Sequence, residues 1–198
     1  MPQPLVEPTY YYSDLEEIGG GDGVWDLATR WADVRQHAAL RPDDEVLDLG
    51  CAEGLIAIEV AKVVRHVHGV ELRPERVEAA DRIARDRGID NVTFQCASVA
   101  DLALEPRSFD VVLFLGVLQH LPREHKLPTL AKALSATRRQ VVMRMPLFDP
   151  RSPNRATNLA AACQDQDFTL TIYPRHAARG GNLIIAQRYD EPGSIADV

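Results

Sequence analysis

Several things are missing from this chain, and each absence removes a class of protein. No apolar run approaches the roughly 20 residues that a membrane-spanning helix needs. The opening residues, MPQPLVEPTY, have neither the basic start nor the apolar core of a secretory signal, so the expected location is the cytoplasm, with no membrane partner. Cysteine occurs three times, as Cys51, Cys96 and Cys163, widely spaced and without a CxxC pair, which argues against a disulfide framework and against any metal site. Positive charge is in deficit: 22 Lys and Arg face 29 Asp and Glu, for a net charge of -7. That balance, with no basic cluster, argues against nucleic acid as the partner.

What the chain does contain is the composition of one globular α/β domain: 198 residues, 45% hydrophobic and 26% charged. From residue 41 onward, short apolar runs alternate with stretches of helical spacing. The spacing predicts strands at Val46 to Leu49, Val67 to Glu71, Val92 to Cys96, within Phe109 to Leu118, and at Val141 to Met145. Helices are predicted at Leu55 to Val64, Arg73 to Arg87, Leu127 to Ala136 and Arg155 to Gln166. Two further strands, Phe168 to Tyr173 and Asn182 to Arg188, flank a loop with Gly180 and Gly181 that suits an antiparallel return. The run FDVVLFLGVL is apolar on both faces, as a central strand of a parallel sheet must be. The expected fold is therefore α/β: a single doubly wound, Rossmann-like sheet of seven strands with a C-terminal antiparallel hairpin. The expected organisation is an N-terminal helical extension over 1–40, the main domain over 41–190 and a short tail over 191–198.

The stretch EVLDLGCAEG, residues 45–54, joins the first strand to the first core helix through a glycine-containing turn. Gly50 and Gly54 lack Cβ atoms and let backbone bend sharply beside a ligand, while the helix start offers unpaired N–H groups. A dinucleotide fingerprint requires GxGxxG, and here those places hold Gly50, Ala52 and Leu55, which disfavours NAD and FAD.

With Asp48 at its head, Gly50 and Gly54 in place and Ala52 at the middle position, the turn resembles the DxGxGxG motif of class I S-adenosylmethionine-dependent methyltransferases. That resemblance, covering about residues 41 to 190, implies S-adenosyl-L-methionine as cofactor. It places Glu71, 21 residues beyond Gly50, at the end of the second strand as acceptor for the ribose hydroxyls. It puts Ser98 near the adenine amino group, with Leu72 and Val99 on either side of the ring, and the backbone at Leu115 and Gly116 beside the methionine portion. Asp48 either contacts the ligand or holds backbone amides of the turn.

The implied activity is methyl transfer to a small-molecule acceptor, with O-methylation favoured. A sulfonium methyl is already electrophilic, so the protein mainly has to align a nucleophile and exclude water. For a hydroxyl acceptor, His120 in GVLQHL is the candidate general base by family analogy. The substrate-side candidates are Tyr11, Tyr12, Trp25 and Arg30, from a segment in which GGGDG forms a hinge ahead of a helix running from Trp25 to about His37. The GVLQH segment and the Trp-containing helix are also similar to the wobble-uridine tRNA methyltransferases and their small-molecule relatives. Two alternatives stay open beside the small-molecule enzyme: a tRNA methyltransferase, and a catalytically silent binding or regulatory module. Monomer and homodimer stay open as well.

Overall fold

The computed structural model describes residues 27–145, 156–173 and 182–189. Seven strands form one sheet: β1 (Glu45–Leu49), β2 (His66–Glu71), β3 (Val92–Cys96), β4 (Phe109–Leu115), β5 (Thr137–Met145), β6 (Phe168–Tyr173) and β7 (Asn182–Arg188). Their order is β3-β2-β1-β4-β5-β7-β6. The first five are parallel, and β7 enters antiparallel between β5 and β6. Strand order therefore reverses between β1 and β4, the switch point at which doubly wound sheets bind ligands beyond their carboxyl ends.

Alternation along each strand sorts the core into two layers. Val46, Val67, Val111, Leu113, Val142, Leu183 and Ile185 face α1 (Leu27–His37), α2 (Leu55–Ala61) and α3 (Pro74–Asp86). Leu47, Leu49, Val112, Phe114, Val141, Met143, Met145, Ile184 and Ala186 face α4 (Arg123–Ala136) and α5 (Ala156–Gln164). The central strand β4 is buried on both faces from Val111 to Phe114, as its unbroken apolar run requires.

Several boundaries differ from the sequence expectation, three of them near the site or the core. The apolar run of β4 leaves the sheet at Leu115, because Gly116 takes a φ of +80° and turns the chain into a single 3-10 turn, Leu118–His120. Helix α2 ends at Ala61 rather than Val64. Strand β5 starts four residues before Val141, directly at the end of α4. Its first residues, TRRQ, are polar but mostly buried, and their partners are distant in sequence. Arg139 pairs with the buried Asp44, and its Nη1 donates to Ala39 O at 3.0 Å. Gln140 Oε1 accepts from Ala39 N–H at 3.0 Å, and its Nε2 donates to His37 O at 3.3 Å. These bonds fasten the end of α1 to the amino edge of the sheet.

Candidate active site

The turn after β1 is built by its neighbours rather than by its own side chains. Gly50 N–H and Cys51 N–H both donate to Val70 O, at 2.7 and 3.0 Å, and Gly54 N–H donates to Cys51 O at 2.9 Å. Three residues of the turn adopt left-handed backbone: Gly50 at φ +75°, Ala52 at +50° and Gly54 at +72°. At Gly50 a Cβ would stand 2.2 Å from Val117 Cγ2, so the β1 and β4 turns touch at the switch point. At Gly54 a Cβ would stand 2.5 Å from Phe94 Cζ and 2.9 Å from Ala80 Cβ. Both glycines thus serve close protein packing, a role the motif alone does not reveal.

Glu71 closes β2 and is buried. Its Oε2 accepts from Ala52 N–H at 3.1 Å and its Oε1 from Arg73 N–H at 3.1 Å. Each carboxylate oxygen carries two acceptor sites, so bonding capacity remains on both. Of the two roles left open for Asp48, holding the turn's amides does not match the geometry: Gly50, Cys51, Ala52 and Gly54 donate elsewhere. The Asp48 carboxyl is buried near the end of β1, and burial pushes its pKa up to about 7, with the neighbouring Glu71 adding to the rise and the Arg30 guanidinium opposing it. Burial, together with Asp48, Glu71 and Glu53, pushes the Cys51 thiol up as well, so it is an inert core thiol.

Around this centre stand the other sequence candidates. Leu72 follows Glu71 and is 50% exposed, an apolar side chain open beside a carboxylate. Val99 is packed into the α4 side of the core, and Ser98 is half-buried with its carbonyl accepting from Asp101 and Leu102 N–H. Leu115 ends β4, and Gly116 N–H donates to Arg144 O at 2.9 Å. His120 ends the 3-10 turn on the surface, and partial burial together with the Lys126 ammonium lowers its pKa. Lys126 Nζ donates to Gln119 O at 2.9 Å and holds that turn against α4. Arg30 lies in α1, where its charge acts on Asp48, and one turn further Asp33 stands 4.0 Å from Arg144 at the end of β5. Tyr11, Tyr12 and Trp25 lie outside the described residues, as do Gly180 and Gly181.

Sequence reading missed the link from Ala52 to Glu71 and the influence of Arg30 on Asp48. Neither has a local signal, since the partners are brought together only by the sheet.

The cradle suits a cationic nucleoside-bearing ligand: two carboxylates, an open apolar side chain beside one of them, and spare acceptor capacity on Glu71. The sheet order, the turn at its switch point and the acidic end of β2 are those of the class I S-adenosylmethionine-dependent methyltransferase fold. Residues 40–187 match the family described as a methyltransferase domain, and the chain belongs to that family. It is 30% identical over 128 residues to the ubiquinone biosynthesis O-methyltransferase of Paraburkholderia phytofirmans, a match covering 65% of this chain and 51% of that protein. The enzyme of the same name from Neisseria meningitidis serogroup C is 35% identical over 88 residues, 43% of this chain and 37% of that one. The chain spans about half the length of these relatives, or less. In fold it is similar to magnesium protoporphyrin IX methyltransferase of Synechocystis PCC 6803, solved with its methyl donor bound. That match has a TM-score of 0.67 and 20% identity, covering 82% of this chain and 77% of that one. It is also similar to the [4+2]-cyclase SpnF, with a TM-score of 0.66 and 17% identity over 85% of this chain and 84% of that one. Among the described residues no helix is long and apolar enough to cross a membrane.

Proposed function

We propose that the chain methylates an oxygen of a small molecule. The observation that carries this reading is the buried Asp48 and Glu71 pair around the Gly50 to Gly54 turn, in a chain of this family. The naming of its relatives as O-methyltransferases supports oxygen as the acceptor atom. The net charge of -7 supports a metabolite rather than a nucleic acid.

S-adenosylmethionine supplies an electrophilic methyl group when bound. Glu71 accepts hydrogen bonds from the ribose hydroxyls with the sites its two backbone partners leave free. Leu72 offers its open face to the adenine, with Ser98 and Val99 at the neighbouring turn. Gly50, Ala52 and Gly54 bring backbone close, and Asp48 and Leu115 border the methionine end. Arg30 balances the negative charge of Asp48 there. His120, held toward its neutral form, would take the proton from an acceptor hydroxyl. The SpnF likeness shows that this fold also supports other chemistry, so the turn and its carboxylates carry the reading rather than the sheet.

Calorimetric titration with S-adenosylmethionine, S-adenosylhomocysteine and NAD tests it. Micromolar binding of the first two and none of NAD is expected. Failure of both sulfur compounds to bind would remove the methyl-transfer reading and leave a binding or regulatory module.

A further inference from the structure

Two side-chain amides at the carboxyl edge of the sheet are left with unfilled bonding capacity. Asn182 opens β7 opposite Met145, the last residue of β5. Its side chain is 2% exposed, yet its Oδ1 meets no donor. Gln119 sits in the turn after β4, and its Oε1 is likewise buried without a donor. Its Nε2 lies beside Gly116, 3.6 Å from where a Cβ on that residue would stand. At the opposite edge the chain treats such groups differently. Gln140 is filled at both ends by Ala39 N–H and His37 O, and Asn91 Nδ2 donates to Ala61 O at 2.7 Å and to Val64 O at 3.1 Å. A buried amide left open disfavours the fold, and an apolar side chain of similar size would remove the penalty. Its retention at the ligand-binding edge points to a partner from outside the protein.

The two amides lie on the same side of the sheet. Asn182 alternates with Ile184 and Ala186, which pack under α4 and α5, and the backbone of Gln119 is held to that side by Lys126 of α4. Only β5 separates β4, after which Gln119 follows, from β7, which Asn182 opens, so two strand spacings, about 10 Å, separate the strand ends nearest to them. That span suits a molecule of one or two rings. The arginine of this edge, Arg144, alternates onto the α1 side, where Asp33 stands, and the Lys126 ammonium is engaged with Gln119 O.

We propose that Gln119 and Asn182 recognise the methyl acceptor, each amide pairing with an uncharged hydrogen-bonding group of that molecule. The assignment rests on the methyl-transfer reading and adds acceptor-recognising residues to it.

The variants Gln119→Leu and Asn182→Leu test it with three readouts. The first is thermal unfolding of the protein without ligands, where each variant is expected to melt higher, by about 3 °C for each kcal/mol recovered. The second is calorimetry with S-adenosylmethionine, expected to be unchanged. The third is turnover of 4-methylcatechol, with 3,4-dihydroxybenzoate as its anionic counterpart. The wild type is expected to prefer the neutral probe, and each variant to raise its KM at least tenfold. A lower melting temperature in both variants would make the amides structural and overturn the assignment. So would an unchanged KM, a wild-type preference for the anionic probe, or cofactor binding without methylation of either. Failure of the wild type to bind S-adenosylmethionine would instead remove the underlying reading, and the thermal shifts would still judge the amides.

Discussion

The backbone N–H of Ala52 donates to Glu71 Oε2 at 3.1 Å, tying the turn after β1 to the end of β2. The other oxygen of the same carboxylate accepts from Arg73 N–H, at the entry to α3. One acidic side chain therefore fixes two turns at once, and any ribose hydroxyl it accepts finds it already in position.

Glu71→Ala should accordingly lose stability and cofactor affinity together. Two charge-assisted hydrogen bonds disappear and two backbone donors are left open, so about 2 to 3 kcal/mol of stability and about 1 to 3 kcal/mol of binding are expected to go. Urea unfolding and calorimetry read the two losses. Unchanged affinity for S-adenosylmethionine would remove Glu71 from the site.

Ala52 holds a left-handed backbone, with φ +50°, that glycine adopts without strain. Ala52→Gly is expected to stabilise the protein by about 1 kcal/mol and to leave cofactor affinity equal or higher. A fall in the urea midpoint would mean that the alanine methyl is packed to advantage.

Gly50 and Val117 form a pair that one substitution should break and a second partly repair. A Cβ at Gly50 lies 2.2 Å from Val117 Cγ2, at a φ of +75°. Gly50→Ala should cost about 3 kcal/mol, and Val117→Ala in the same chain should recover the clash but not the backbone strain, about 1 kcal/mol. A double-mutant cycle with no coupling would contradict the contact between the two turns.

Asp48 predicts an unusual pH dependence. Burial raises its pKa from 3.8 to about 7 in the folded protein, so between those values the folded state holds a proton that the unfolded state has lost. Its contribution to stability is full below pH 3.8 and falls as pH rises toward 7, by at most about 1.4 kcal/mol per pH unit. Asp48→Asn should flatten that part of the profile and stabilise the protein at pH 8. Unfolding curves of both proteins between pH 4 and 8 check the sign.

His120 is held neutral by burial and by the Lys126 charge. Its removal, His120→Ala, should lower kcat by about 100-fold or more with cofactor affinity unchanged. Lys126→Met should raise the histidine pKa and shift the acid limb of the pH–rate profile upward. Full turnover by the His120 variant would end its assignment as base.

Most of the sheet was legible because each strand carries its own signal. FDVVLFL announces a central strand, and the spacing from Gly50 to Glu71 announces one βαβ unit. What the sequence concealed depends on partners far along the chain. TRRQ lies between the expected helix and strand with no apolar signal of its own, and only with Asp44, His37 and Ala39 in place does β5 extend to Thr137. Within the site, Glu71 was visible as an acidic strand end, but its hold on Ala52 was not. Gln119 and Asn182 gave no signal at all, since an amide without a partner is recognisable only when everything around it is known.

The placement of β7 bears on how the chain is made. It is synthesised after β6, yet it lies between β6 and β5 and pairs with both. On the ribosome, β6 therefore has no strand to pair with, and β5 presents Val141 to Met145 as a bare edge, until residue 188 has cleared the exit tunnel. An interrupted nascent chain would display an apolar strand with unpaired backbone, the form most prone to cross-chain pairing, which makes this interval the point at which a chaperone has most to protect.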